Sequence, residues 1–224
     1  MTIFQPMINY LFTNPISFLV GATALLVAIT IHEFSHAWMA ERLGDPTARL
    51  QGRLNLNPFS HLDFMGTLFL LFFGFGWGKP VPFDPFNLKN PRKDAALISI
   101  AGPSSNLIMA LLLSLLLKLL IFFKLEILFT IGSLFLIPLI TVNVILGVFN
   151  LLPISPLDGF KVIGGILSAK QAREWYQLER FGMIFLLLLI IPIGGSSLLD
   201  SLIRPVINFI LNFLLPFSLN TGII

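Results

Sequence analysis

The sequence predicts an all-α polytopic membrane protein: a bundle of about four to five transmembrane helices, with a short re-entrant β element between the first and second spans. Three observations predict this. The 224 residues are 56% hydrophobic and only 11% charged, where an ordinary soluble domain carries roughly 25% charged residues. Mean hydropathy is +0.90. Apolar runs long enough to cross a bilayer, about 20 residues each, recur along the chain between short polar intervals.

The net charge of +3 is modest and argues against nucleic acid as a partner. Cysteine is absent, so there are neither disulfides nor thiolate ligands, and a bound metal must use His, Asp or Glu. Met1 to Val27 contains no Lys or Arg, so no cleavable signal peptide is expected.

Residues 1–15 form an interfacial segment broken by Pro6, Asn9 and Asn14-Pro15. The first span runs from about Ile16 to Leu43 and stops at Gly44-Asp45-Pro46. Residues 45–93 are the longest polar interval. Within it, Phe64 to Phe75 is apolar but too short to span, which fits a buried or re-entrant segment. Gly74-Phe75-Gly76-Trp77-Gly78-Lys79-Pro80-Val81-Pro82 alternates glycine with large residues beside prolines, which suggests an irregular extended strand or hairpin. Such backbone is tolerated at membrane depth only inside protein or beside a wet cavity.

The second span is expected from about Ala95 to Phe123 and the third from Leu128 to Leu152. A polar stretch, Lys161 to Arg180, follows. A fourth span begins near Phe181 and reaches Ile193, and the apolar tail from Leu202 to Leu219 is a fifth span or an interfacial helix. Seven of the 14 Lys/Arg lie between spans one and two, four between spans three and four, and only Lys118, Lys124 and Arg204 on the other side. The positive-inside rule then runs the first span from outside to inside. The expected location is the cell membrane, multi-pass, with the candidate site toward the cytoplasmic face.

That site is announced by His32-Glu33-Phe34-Ser35-His36, an H-E-x-x-H pattern in the second half of span one. Histidines four apart stack on one helix face and can hold one Zn²⁺, while Glu33 is placed to take a proton from metal-bound water. Ionisable residues inside a span are costly and so indicate function. A catalytic zinc needs a third protein ligand. Asp158, at the cytoplasmic end of span three among Pro153, Pro156 and Gly159, is the leading candidate. His61 is its rival, although its polar turn also suits a surface or interface role. Asp63 and Asp84 read as solvated loop acids. Asn106 and Asn150 read equally as substrate or oxyanion ligands and as interhelical glue. Trp38, Trp77 and Trp175 read as interfacial or packing residues.

Taken together, His32–His36, Gly44-Asp45-Pro46, Gly52-Arg53-Leu54-Asn55-Leu56-Asn57-Pro58, Gly76–Pro82, Ala101-Gly102-Pro103-Ser104-Ser105-Asn106 and Asn150–Gly159 closely resemble the site-2 protease family of intramembrane zinc metalloproteases, in its short form without PDZ or CBS domains. The resemblance covers roughly residues 16–180, the expected protease core, with membrane helices at 181–224. It implies zinc on His32, His36 and Asp158, and Glu33 as general base. It also implies substrate or oxyanion contacts from Asn150 and Asn106, and a substrate-accepting edge that includes Gly74, Phe75, Gly76 and Trp77. The one departure is Gly78, where family members often carry alanine.

The implied function is hydrolysis of a peptide bond within or near a transmembrane segment of a membrane-protein substrate, by Glu-assisted attack of zinc-bound water. The implied partners are that substrate and the lipid bilayer; a regulatory membrane partner is left unspecified. Three rivals remain at this stage: a divalent-cation transporter, an inactive binding scaffold, and a peptidase of soluble substrates seated in the membrane. The clustering of acids and histidines toward one face disfavours the first, and Glu33 disfavours the second.

Overall fold

The computed structural model describes residues 8–74, 76–193 and 196–216. After a short helix α1 (Ile8–Thr13), helix α2 runs Pro15–Arg42. Its start is set locally: Asn14 Oδ1 accepts from Ser17 N at 3.1 Å, and Pro15 takes the first position, where no N–H is needed. Its 28 residues extend about 42 Å at 1.5 Å per residue. Gly44, at φ +102°, ends the helix in a conformation that favours glycine.

The interval that follows holds α3 (Thr47–Leu50) and α4 (Phe64–Phe73). Fully buried Asp45 accepts from Thr47 N, from Asp84 N at 2.7 Å and from Asn87 Nδ2 at 2.8 Å, so it ties the end of α2 to the turn that precedes the next span. Burial alone would raise its pKa, but these bonds outweigh burial and hold the Asp45 carboxyl below the ordinary carboxylate range. Asp63 and Asp84 are helix N-caps rather than loosely solvated acids: they accept from Gly66 N and Phe86 N.

The next two helices are long. α5 (Pro91–Phe122) and α6 (Glu126–Asn150) carry Pro103 and Pro138 inside them. With α2 they are the three helices long and apolar enough to cross a membrane among the described residues. The chain then makes α7 (Asp158–Ile166), α8 (Ala169–Tyr176), α9 (Glu179–Ile190) and α10 (Leu198–Leu214). A two-residue hairpin, β1 (Pro192–Ile193) with β2 (Ser196–Ser197), joins α9 to α10.

Two expectations change here. The predicted fourth span is a helix of only 12 residues, because Ile191 precedes Pro192 and turns extended, at ψ 123°. The fifth is a 17-residue helix, and its predicted end at Leu219 lies outside the described residues. The β element expected between the first and second spans is not a hairpin among the described residues. It is one isolated bridge, Leu62 to Gly78, marked by Lys79 N donating to His61 O at 2.8 Å. Pro80 and Pro82 lack N–H groups and cannot extend a ladder.

The interior is divided. Ile140, Val144, Leu186, Leu199, Ile203 and Ile207 pack α6, α9 and α10 into an apolar core. Along α2 the buried positions are instead Ala24, Ala28, Ala37 and Ala40, with Thr30, His32 and His36 among them. Large side chains such as Leu112, Leu116, Leu128, Ile131 and Leu134 face outward. This is the arrangement of a chain whose surroundings are as apolar as its core.

Candidate metal centre

α2 presents His32 and His36 one turn apart and buried, their rings 4.6 Å between centroids and nearly perpendicular at 87°. Asp158 enters from the first turn of α7. The chain unwinds after Asn150 and restarts at Asp158, and Gly159 makes this close return workable: a Cβ there would lie 2.2 Å from Leu151 O. The ring nitrogens meet at 3.0 Å, His36 Nε2 to His32 Nε2. Asp158 Oδ2 lies 3.1 Å and 3.2 Å from these two atoms. All three donor atoms fall within 4.8 Å of one another.

The far side of each ring decides what this cluster wants. His36 Nδ1 donates to Ile98 O at 2.7 Å, and a carbonyl can only accept. His32 Nδ1 donates at 2.7 Å to Asn106 Oδ1, because the Asn106 amide nitrogen is already donating to Ala28 O and to Asn143 Oδ1. Both protons therefore sit on Nδ1, and both Nε2 lone pairs face inward toward a carboxylate oxygen that has no hydrogen-bond donor. Three electron-pair donors converge, and a cation satisfies all three. Two imidazoles and one carboxylate make a donor set that catalytic zinc uses.

Gly102 on α5 lies against the inward-facing edges of the two rings. A Cβ there would lie 2.4 Å from His36 Nε2 and 2.7 Å from His32 Cε1, so only glycine fits. Glu33 is half-buried, with Oε2 unpartnered and Oε1 turned toward Gly78, where an added Cβ would lie 3.4 Å away. A carboxylate held free beside the ligands and facing an extended backbone segment can carry a proton between water and a leaving group.

The remaining sequence-predicted residues divide. His61 is not at the surface: it is fully buried, with Nε2 2.8 Å from Asn55 O, and it lies outside the group of convergent ligands. Asn106 has its amide fully engaged around His32. Asn150 is half-buried and donates to Leu146 O at 3.0 Å in its own helix. Gly74 caps α4 at φ +73°, Trp77 packs on Phe69 at 5.2 Å, and Gly76 fits against Gly66, where a Cβ would lie 2.1 Å from the Gly66 carbonyl oxygen. Phe75 lies outside the described residues.

Sequence reasoning missed three residues. Arg53, read only as one of the cations between spans one and two, is buried and donates to Lys79 O at 2.5 Å and to Pro80 O at 3.3 Å. Asn143 is fully buried behind Asn106. Gly102 was seen only as part of a motif. Asn143 carried a readable signal, an amide in the middle of an apolar run; the other two did not.

Three apolar helices with an H-E-x-x-H face and a converging carboxylate define a class, the membrane-embedded zinc metallopeptidases. Residues 20–132 match the family described as Peptidase family M50. "Putative zinc metalloprotease YwhC" of Bacillus subtilis is 43% identical over 178 residues, covering 78% of this chain and 81% of its own length. "Putative zinc metalloprotease Rip2" of Mycobacterium tuberculosis is 34% identical over 170 residues, covering 73% of this chain and 63% of its own length. No solved structure gives a significant match. The chain belongs to peptidase family M50, the site-2 protease family.

Proposed function

We propose that the protein is an intramembrane endopeptidase that cleaves a peptide bond within or near a transmembrane segment of another membrane protein. The observation that carries this reading is the convergence of His32, His36 and Asp158 beside a free Glu33, in a chain whose outer surface is apolar. His32, His36 and Asp158 hold the zinc. When bound, it supplies Lewis acidity toward water and toward the peptide carbonyl.

Glu33 Oε2 takes a proton from the attacking water and returns it to the leaving amine. Asn106 orients His32 rather than touching substrate, while Asn150, at the end of α6 just before the chain restarts at Asp158, faces the substrate or oxyanion. A substrate helix must unwind before cleavage, since its peptide groups are engaged in its own hydrogen bonds. The extended stretch Gly76–Gly78, facing Glu33, replaces some of those bonds by strand addition. Residues 16–180 form the core of the enzyme. α9 and α10 pack against α6, beside the three long helices, in the cell membrane. The charge pattern supports a site toward the cytoplasm.

Zinc content and cleavage of a model transmembrane substrate, measured side by side for wild type and Glu33→Gln, test the reading. One zinc per chain in both, with cleavage reduced about 10²–10⁴-fold in the variant, is the expected result for loss of the proton carrier. Undiminished cleavage by Glu33→Gln would sink the mechanism.

A further inference from the structure

We propose that Asn143 is a positioning residue that acts through Asn106 to fix which nitrogen of His32 faces the metal. The inference rests on His32 being a zinc ligand, and it goes beyond that reading to a relay across three helices.

The chain of hydrogen bonds starts at a backbone carbonyl. Asn143 Nδ2 donates to Leu139 O at 2.8 Å within α6. A carbonyl only accepts, so this bond fixes the amide, and Asn143 Oδ1 must face Asn106. Asn106 Nδ2 then donates to Asn143 Oδ1 at 2.9 Å and to Ala28 O at 3.0 Å. With both amide hydrogens used, Asn106 Oδ1 faces His32 and accepts from Nδ1 at 2.7 Å. Every orientation is set by one of two carbonyls at the ends of the chain, so no amide can turn over alone. Ala28 lies four residues before His32, so Asn106 grips both the ring and the helical turn that carries it.

Asn106 and Asn143 are each fully buried. In such a place a reversed amide would set donor against donor and acceptor against acceptor. Remove Asn143, and one hydrogen of Asn106 loses its acceptor. The remaining bond to Ala28 O still fixes which end of the amide is nitrogen, but the amide is then held at one point instead of two, and its oxygen holds the His32 ring less firmly with a lone pair toward the cluster. The placement of the proton and the ring, not the charge of the site, is what Asn143 controls.

The test uses the full chain in detergent, stripped of metal and titrated with Zn²⁺ against a competing chelator, with the visible spectrum of the Co²⁺-loaded protein as a second readout. Loss of a group that orients a ligand typically weakens metal binding about 10–100-fold. Asn106→Leu is expected in that range and Asn143→Leu near its lower end, with a shifted Co²⁺ spectrum in both. Ile140→Ala, on the same helix and fully buried but outside the relay, is expected to lose stability and keep its zinc affinity.

The double variant Asn106→Leu/Asn143→Leu should bind no more weakly than Asn106→Leu alone, since the two act in series. If Asn143→Leu does not fold, Asn143→Asp keeps an acceptor opposite Asn106 and is expected to retain the affinity; a loss as large as that of Asn106→Leu would overturn the relay. Wild-type affinity with an unshifted spectrum in Asn143→Leu would likewise overturn it. Failure of the wild type to bind zinc at all would overturn the metal site itself, which is a different result.

Discussion

The α2–α5–α6 layer around the histidines and the α6–α9–α10 core are both buried, and they are built by opposite rules. Around the histidines the interior is made of Ala28, Ala37, Ala40, Gly102 and two amides. In the other core it is Leu186, Leu199, Ile203 and Ile207. Small residues let helix backbones approach until side chain and carbonyl can bond directly, as Asn106 does with Ala28. Large aliphatic side chains fill space and ask for no direction. One region specifies the position of a few atoms, and the other supplies cohesion.

The sharpest way to break this contrast is Gly102→Ala. The new methyl would stand 2.4 Å from His36 Nε2, so zinc content should fall to near zero. Gly132→Ala, where the nearest atom is 3.4 Å away, should leave zinc and folding unchanged. Zinc retained by Gly102→Ala would show that the ring pair is not held where we describe it. Next in size is Ile203→Ala on α10. It should cost about 2–5 kcal/mol of stability by denaturant unfolding, through the cavity it leaves, while zinc affinity in the folded fraction stays as in wild type. A parallel loss of zinc would mean that the two regions are not independent.

Arg53→Gln sharpens a boundary case. Its fork holds Lys79 O and Pro80 O, so its loss should loosen Gly76–Pro82. Faster backbone exchange there and a raised KM, with zinc content intact, are the expected outcome. The smallest effect is expected at Asp45, on the rim of the site layer. Its carboxyl titrates lower in the folded chain than in the unfolded one. Its contribution to stability is therefore fully present above the unfolded value, about 3.9, and is lost as pH falls through the folded value. Asp45→Asn should flatten the stability profile in that acid window and change little at neutral pH. An unchanged acid slope would refute the bonding pattern.

How much of this was legible in the sequence depends on the range of the signal. The H-E-x-x-H pair is local: two residues one turn apart share a face in any helix. Asp158 needed only the topology, which sets the ends of α2 and α6 at one depth. Arg53 is legible only as a charge in a loop, because its partners are carbonyls 26 and 27 residues away. The fourth span is expected to reach Ile193 but α9 stops at Ile190, because hydropathy does not register that Pro192 ends a helix. The extended stretch was recognised, but its pairing was not, since pairing depends on how closely Gly66 and Gly76 approach. Asn143 was passed over although its signal equalled that of Asn106.

The bridge between Leu62 and Gly78 would set a footprint for a substrate chain on the proposed reading. Pro80 and Pro82 offer no N–H, and Arg53 already holds the carbonyls of Lys79 and Pro80. On the proposed reading, a substrate chain laid along this stretch would be confined to its Gly78 end, the end that faces Glu33. The edge that receives the chain would then itself set the scissile bond against the proton carrier.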